Sequence, residues 1–204
     1  MNNLSDLHLD ALAEVFSIGA GRAALSLSEF VNDEVRISVP SIQVINSEDI
    51  NSTTLPLNNG RFGAVNQYFR GPFNAEAVLL FTEDQALKIV SDMMGSQMSI
   101  DELAEFEHEA MCELGNIILN ACLSAMADVF SFTLESSLPA YAVASADEIL
   151  LRLKKNSNQP FVMILHIDLA IEKRHAAGSL VFLLSSASLA NLVIHIDQFL
   201  GRIS

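Results

Sequence analysis

The sequence predicts an α/β (α+β) fold in which one helix-and-strand unit occurs twice about a pseudo-two-fold. Three observations carry this. Asp10, Glu14 and Pro40 recur 99 residues later as Glu109, Glu113 and Pro139, and Glu48-Asp49-Ile50 matches Asp147-Glu148-Ile149. Self-similarity at a fixed offset marks a repeated structural unit. Two long stretches carry apolar residues at 3–4 spacing, the signature of amphipathic helices. The 204 residues are 50% hydrophobic and 18% charged, with a mean hydropathy of +0.35. That composition excludes disorder and supports a core that needs no disulfide or metal.

The first long helix is expected from about Ser5 to Val31, with Leu9, Leu12, Phe16, Gly19, Ala23 and Phe30 on one face. The second is expected from about Asp101 to Phe130, with an apolar stripe of Leu103, Phe106, Ala110, Ile117 and Ala121. After each comes a β-rich run, Val35–Val39 and Phe132–Leu138, closed by the matching prolines Pro40 and Pro139. Proline cannot donate to a ladder, so it marks a strand end or a sheet edge. Each half then shows two apolar runs and a helical ending, at about 63–71, 75–82 and 83–94, and again at about 161–172, 177–185 and 186–200. The near-continuous apolarity of Phe161–Ile171 and Ser179–Leu184 is that of central strands covered on both faces, with Gly178 in the turn between them. Two long helices packed with antiparallel strands thus form one domain over 1–204, built of repeats at about 1–95 and 96–204. The boundary is placed at Gly95-Ser96-Gln97-Met98-Ser99.

Lys and Arg total 11 against 25 Asp and Glu, a formal charge of −14. Such a surface repels phosphate backbones, so no nucleic acid is expected as a partner. The acidic start, MNNLSDLHLD, has neither the basic residues nor the apolar run of a secretory signal. No uninterrupted run of 18 apolar residues occurs, so no membrane insertion is expected. Cys112 and Cys122 lie ten residues apart on one expected helix. That is ~15 Å at ~1.5 Å per residue, beyond the ~7 Å a disulfide spans. Free thiols fit a cytoplasmic protein.

The candidate site is a polar line on the second long helix. Glu109, Glu113, Asn116 and Asn120 stand at i, i+4, i+7 and i+11, within about 60° of arc at ~100° per residue. Carboxylates alone would read as a solvated helix face. The two asparagines point to function, because asparagine is a mediocre helix former. The corresponding first-helix residues are Asp10, Glu14 and Ser17. Serine offers one hydroxyl where asparagine offers an amide that donates and accepts at once.

Glu113-x2-Asn116-x22-Pro139 resembles the signature of the CheC/CheX/FliY chemotaxis phosphatases: Asp or Ser, three residues, Glu, two residues, Asn, twenty-two residues, Pro. Leu114-Gly115-Asn116-Ile117 and Ser17-Ile18-Gly19-Ala20-Gly21 are similar to CheC sequences. CheC-type chains carry the signature twice, as here. Glu109 stands where the family has Asp or Ser, and Ser17 where it has its catalytic Asn. The resemblance implies a CheC-like fold with one intact site and one degraded site (Glu14, Ser17). It implies a hydrolase that removes the aspartyl phosphate of a CheY-type response regulator. Asn116 would position the attacking water and Glu113 would contact a lysine of the regulator. Asp10, Glu109 and Asn120 would support. The chain would carry no cofactor or metal of its own; Mg²⁺ would sit on the partner receiver. CheC relatives can also bind the deamidase CheD, the second partner implied. The alternative is a non-catalytic switch or scaffold module of the same fold that binds regulators without hydrolysis. Two fused halves predict a monomer, and equivalent halves would let Ser17→Asn raise activity.

The residues themselves fit a charged partner. From Gln97 to Leu151 there are ten Asp or Glu and no Lys or Arg. Phosphoryl chemistry needs cations to neutralise its oxygens, so here the substrate's carrier must bring them. Gly19-Ala20-Gly21-Arg22-Ala23-Ala24 spells a dinucleotide-binding pattern, but three turns of helix precede it where a strand is required. These small residues instead suit a close helix approach near Gly115 and Ala121. Glu105 and His108 have di-iron spacing without the second pair such centres need.

Overall fold

The computed structural model describes residues 4–57, 60–94, 100–155, 158–171 and 174–203. The expected repeat boundary, 95–99, lies outside the described residues. Among them are five α-helices and seven strands. Before that stretch stand α1 (Asp6–Val31), β1 (Val35–Asn46), β2 (Arg61–Arg70), β3 (Ala75–Thr82) and α2 (Glu83–Met94). After it come α3 (Ile100–Phe130), β4 (Glu135–Ser136), β5 (Ala140–Ser145), α4 (Ala146–Lys155), β6 (Phe161–Ile171), β7 (Arg174–Leu184) and α5 (Ser186–Ile203).

All seven strands join one antiparallel sheet in the order β1-β6-β7-β3-β2-β4, with β5 also on β2. The order mirrors itself about the β7–β3 pair. The outer strands are exchanged: β1 pairs β6 of the later hairpin, and β5 pairs β2 of the earlier one. Asn46 opposes Phe161 as Ser145 opposes Arg61, so the two edges share one register.

The sheet is covered on both faces. One face packs under α1, α2, α3 and α5 through Phe16, Phe81, Leu119, Phe130 and Phe182, with Phe16 and Phe182 ring centroids 5.6 Å apart. The other carries Ile50, Leu55, Phe62, Ile149 and Leu153 under α4 and the 50–57 segment. Double coverage explains why β3, β6 and β7 read as almost unbroken apolar runs.

α1 begins at Ser5, whose hydroxyl accepts from the His8 N–H while His8 Nδ1 accepts from the Ser5 N–H. This reciprocal arrangement satisfies two orphan donors of the first turn. α1 and α3 end alike. Asn32 and Ser131, 99 residues apart, take left-handed backbone at φ 54° and 59°. The next N–H reaches five residues back in both, Asp33 to Ser28 and Phe132 to Ala127. This is the closure of a Schellman-type helix end.

The structure corrects several expectations. β1 does not stop at Val39 but runs to Asn46, its register shifting between Ser38 and Ser41 around Pro40. An edge strand can absorb proline at a bulge because one side of its ladder is unpaired. The run expected at Phe132–Leu138 is a strand only at Glu135–Ser136, and pairing resumes at Ala140 beyond Pro139. Gly178 lies within β7 opposite Ile167, not in a turn. A Cβ there would stand 2.9 Å from the Leu80 carbonyl oxygen, so glycine lets β3 approach. Phe30 and Phe106, expected on the apolar stripes, are exposed.

Cys112 and Cys122 are free thiols. Phe106–Phe130 within α3 is apolar and long enough to cross a membrane, at mean hydropathy 1.4, whereas the sequence reading expected no such helix. In this fold its apolar face, including Met111, Leu114, Ile118 and Leu123, packs into the core between sheet and α1.

Candidate functional site

Two glycines set the position of α3. Gly19 of α1 lies so near Cys122 that a Cβ would stand 2.6 Å from the cysteine Cα, which lets the long helices touch along their backbones. Gly115 faces the sheet, where a Cβ would stand 2.8 Å from Val65 Cβ. The small residues of the first helix therefore meet α3 at Ala121 and Cys122, while Gly115 meets β2 instead of α1. Gly21 faces open space.

Seating Gly115 on Val65 brings its neighbour Asn116 onto Gln67, two residues further along the same face of β2. Gln67 is fully buried. Its Nε2 donates to the Ser137 carbonyl at 2.8 Å and to Asn116 Oδ1 at 3.4 Å. One turn along α3, Asn120 Nδ2 donates to the Asn116 carbonyl at 2.9 Å and to Asn116 Oδ1 at 2.6 Å. Two backbone carbonyls, which can only accept, therefore fix which end of Gln67 and of Asn120 carries the donors. Both donors converge on Asn116, so its oxygen must face inward. Its Nδ2 has no hydrogen-bond partner among the described residues, and the side chain is half-buried. The site thus presents an amide N–H₂ whose orientation is dictated from behind.

Glu113 and Glu109 are exposed on the turns before Asn116. Neither makes a hydrogen bond or ion pair to a described residue. The expected line is therefore carboxylates in solvent leading to amides set into the surface.

Pro139 has a visible part in this arrangement. Its carbonyl accepts a long contact from the Cys112 thiol at 3.9 Å. Burial pushes that thiol above its ordinary value, so it stays protonated as a donor. Ser137 is held to β2 through two backbone-level bonds with Tyr68, its N–H donating to the Tyr68 carbonyl at 2.9 Å and its hydroxyl accepting from the Tyr68 N–H at 3.0 Å. Between these two anchors Leu138 projects, 90% exposed. Nearby, the Tyr141 hydroxyl donates to Glu107, and burial first, then that carboxylate, pushes its titration above the ordinary tyrosine range.

The first face is built differently. Asp10, Glu14 and Ser17 are all exposed on α1. The Ser17 hydroxyl donates back to the Ala13 carbonyl at 2.8 Å, closing on its own helix. By the shared registers, Gly21 stands where the other face has Asn120, and buried Ile167 where it has Gln67. No side-chain amide occupies any of the three positions. Among the described residues no group of three or more His, Cys, Asp or Glu could hold a metal ion.

Gln67 was missed by sequence reasoning. The available signal was Asn66-Gln67, two amides in succession inside the apolar run Phe62–Phe69. Only the folded register shows that α3 covers one of them.

No family model matches the chain. In sequence it is similar to CheY-P phosphatase CheC of Bacillus subtilis, 23% identical over 145 residues, covering 68% of this chain and 67% of that one. It is 27% identical over 151 residues to the flagellar motor switch phosphatase FliY of the same organism, covering 72% of this chain and 39% of FliY. In fold it is similar to Thermotoga maritima FliY, with TM-score 0.79, 18% identity and coverage of 96% and 98%. The FliM middle domain of Helicobacter pylori follows at TM-score 0.62, 13% identity and coverage of 94% and 99%. CheX in the CheX-CheY-BeF3-Mg²⁺ complex of Borrelia burgdorferi has TM-score 0.50, 14% identity and coverage of 85% and 97%.

Proposed function

We propose that this chain, related in sequence and fold to the CheC, CheX and FliY proteins, dephosphorylates a CheY-type receiver domain during chemotaxis signalling. The observation that carries this reading is the Asn116 amide, turned outward as a donor beside exposed Glu113.

An aspartyl phosphate is already a reactive anhydride. Water forms a bond to phosphorus, the P–O bond to the aspartyl carboxylate breaks, and that carboxylate keeps the electron pair. The water's protons pass to the released phosphate and solvent. What a helper must supply is geometry. With its oxygen engaged from behind, Asn116 can donate one N–H to the water oxygen and leave the other lone pair aimed at phosphorus. An amide is no base at neutral pH, so its contribution is placement. Glu113 anchors the partner through a lysine, and Asp10, Glu109 and Asn120 support. The positive charge that phosphoryl transfer requires comes with the partner, whose site holds Mg²⁺ in the complex bearing that name. Stretches 1–95 and 96–204 act as two copies of one unit in a single domain, a monomer working in the cytoplasm. The mirrored sheet supports that organisation. CheD is a second partner.

The test is phosphate release from a phosphorylated CheY-type receiver, with and without the protein. Asn116→Ala should abolish the acceleration with the fold intact, and Glu113→Ala should raise KM more than it lowers kcat. A variant lacking the amide that works at the parental rate would overturn the assignment. The likeness to FliM middle domains favours one second reading, a switch module that binds the receiver without hydrolysis. Binding of phosphorylated receiver with no release of phosphate would select it.

A further inference from the structure

We infer that Gln67 is the positioning residue of this site, which rests on the reading of Asn116 as the hydrolytic amide. A fully buried glutamine facing a helix-covered core is costly unless its polar atoms are matched. Here the match is incomplete. Gln67 Nε2 has two partners, but Gln67 Oε1 is buried with none. A methionine or leucine would fill the same space with no orphaned acceptor. What the amide alone supplies is a donor to Asn116 Oδ1 and a donor to the Ser137 carbonyl.

Those two bonds give Gln67 a specific effect. Without them Asn116 Oδ1 keeps only Asn120, a neighbour on its own helix that turns with it. Among the described residues, Gln67 alone hydrogen-bonds the Asn116 side chain to the sheet. It also ties the segment bearing exposed Leu138 and Pro139 to the same strand. The water-holding group and the surface that meets the partner therefore share one reference point. Gln67 reaches no substrate; it sets the angle at which Asn116 does.

The experiment compares Gln67→Met with the parent in phosphate release, thermal unfolding and the side-chain amide resonances of Asn116. Expected is a fall in kcat of about 10- to 100-fold, the scale of a misplaced reacting group. KM should stay within about twofold, and unfolding should hold its midpoint, because the lost donor is offset by a removed orphan acceptor. The Asn116 amide pair should shift or broaden. A Gln67→Met protein with parental kcat and an unmoved Asn116 resonance would overturn the inference. So would a fall in the unfolding midpoint that accounts for the lost rate, which would make the effect structural. If the parent itself releases no phosphate, the hydrolytic reading fails instead, and the Asn116 resonance still decides whether Gln67 orients the amide.

Discussion

Gly115 lies against Val65 so closely that a Cβ on the glycine would stand 2.8 Å from the valine Cβ. Val65 is β-branched, buried and in the middle of β2, so it cannot yield by rotating away. The closeness of that seat determines where the adjacent amide falls.

Gly115→Ala should therefore lift α3 off β2. Overpacking costs about 1–3 kcal/mol, against roughly 1 kcal/mol that alanine gains as a helix former. A lower unfolding midpoint is expected, with a larger fall in phosphatase rate than in stability. Calorimetry and phosphate release on the same sample check both.

Ser17→Asn should give no gain. A new asparagine there would find glycine at 21 and isoleucine at 167 where the Asn116 face has Asn120 and Gln67. Its side chain would have no fixed orientation. The two faces share their backbone registers but differ in the side chains behind the helix. Adding Gly21→Asn and Ile167→Gln to Ser17→Asn is the combination expected to raise activity, measured with Asn116→Ala present so that only the first face can act.

Leu138→Ser should leave stability within about 0.5 kcal/mol, since a side chain this exposed buries nothing on folding. If the partner covers it, KM should rise about 3- to 10-fold, close to 1 kcal/mol, with kcat unchanged. Titration of phosphorylated receiver against rate reads this directly.

Burial pushes the Cys122 thiol from 9.0 up to about 12. The unfolded thiol ionises first, so this group's stability is whole below pH 9 and is lost as pH climbs towards its folded value. For one proton the slope is about 1.4 kcal/mol per pH unit. Tyr141, also raised, adds to the same alkaline loss. Denaturant midpoints measured between pH 8 and pH 11 should fall, and Cys122→Ala should flatten the fall. Thiol labelling should reach Cys122 only on unfolding.

Much of this was legible in the residues. The two long helices and the hairpins show in local periodicity, which needs no partner to be read. Pro40 was misjudged as a terminus because its tolerance depends on β1 being an outermost strand, a fact of long-range pairing. Gly178 looked like a turn for the same reason; its meaning is the nearness of β3. The polar line on α3 was visible from helical geometry alone. Its inward half was not, since a helix wheel cannot say which donor waits beneath Asn116.

The strand exchange at the sheet edges has a consequence for how such a protein can diverge. The candidate face takes Asn116 from the later half of the chain and Gln67 from the earlier half, so neither half owns it. Each face is assembled from a helix of one half and a strand of the other, so losing the side chains of either half would disturb both faces at once.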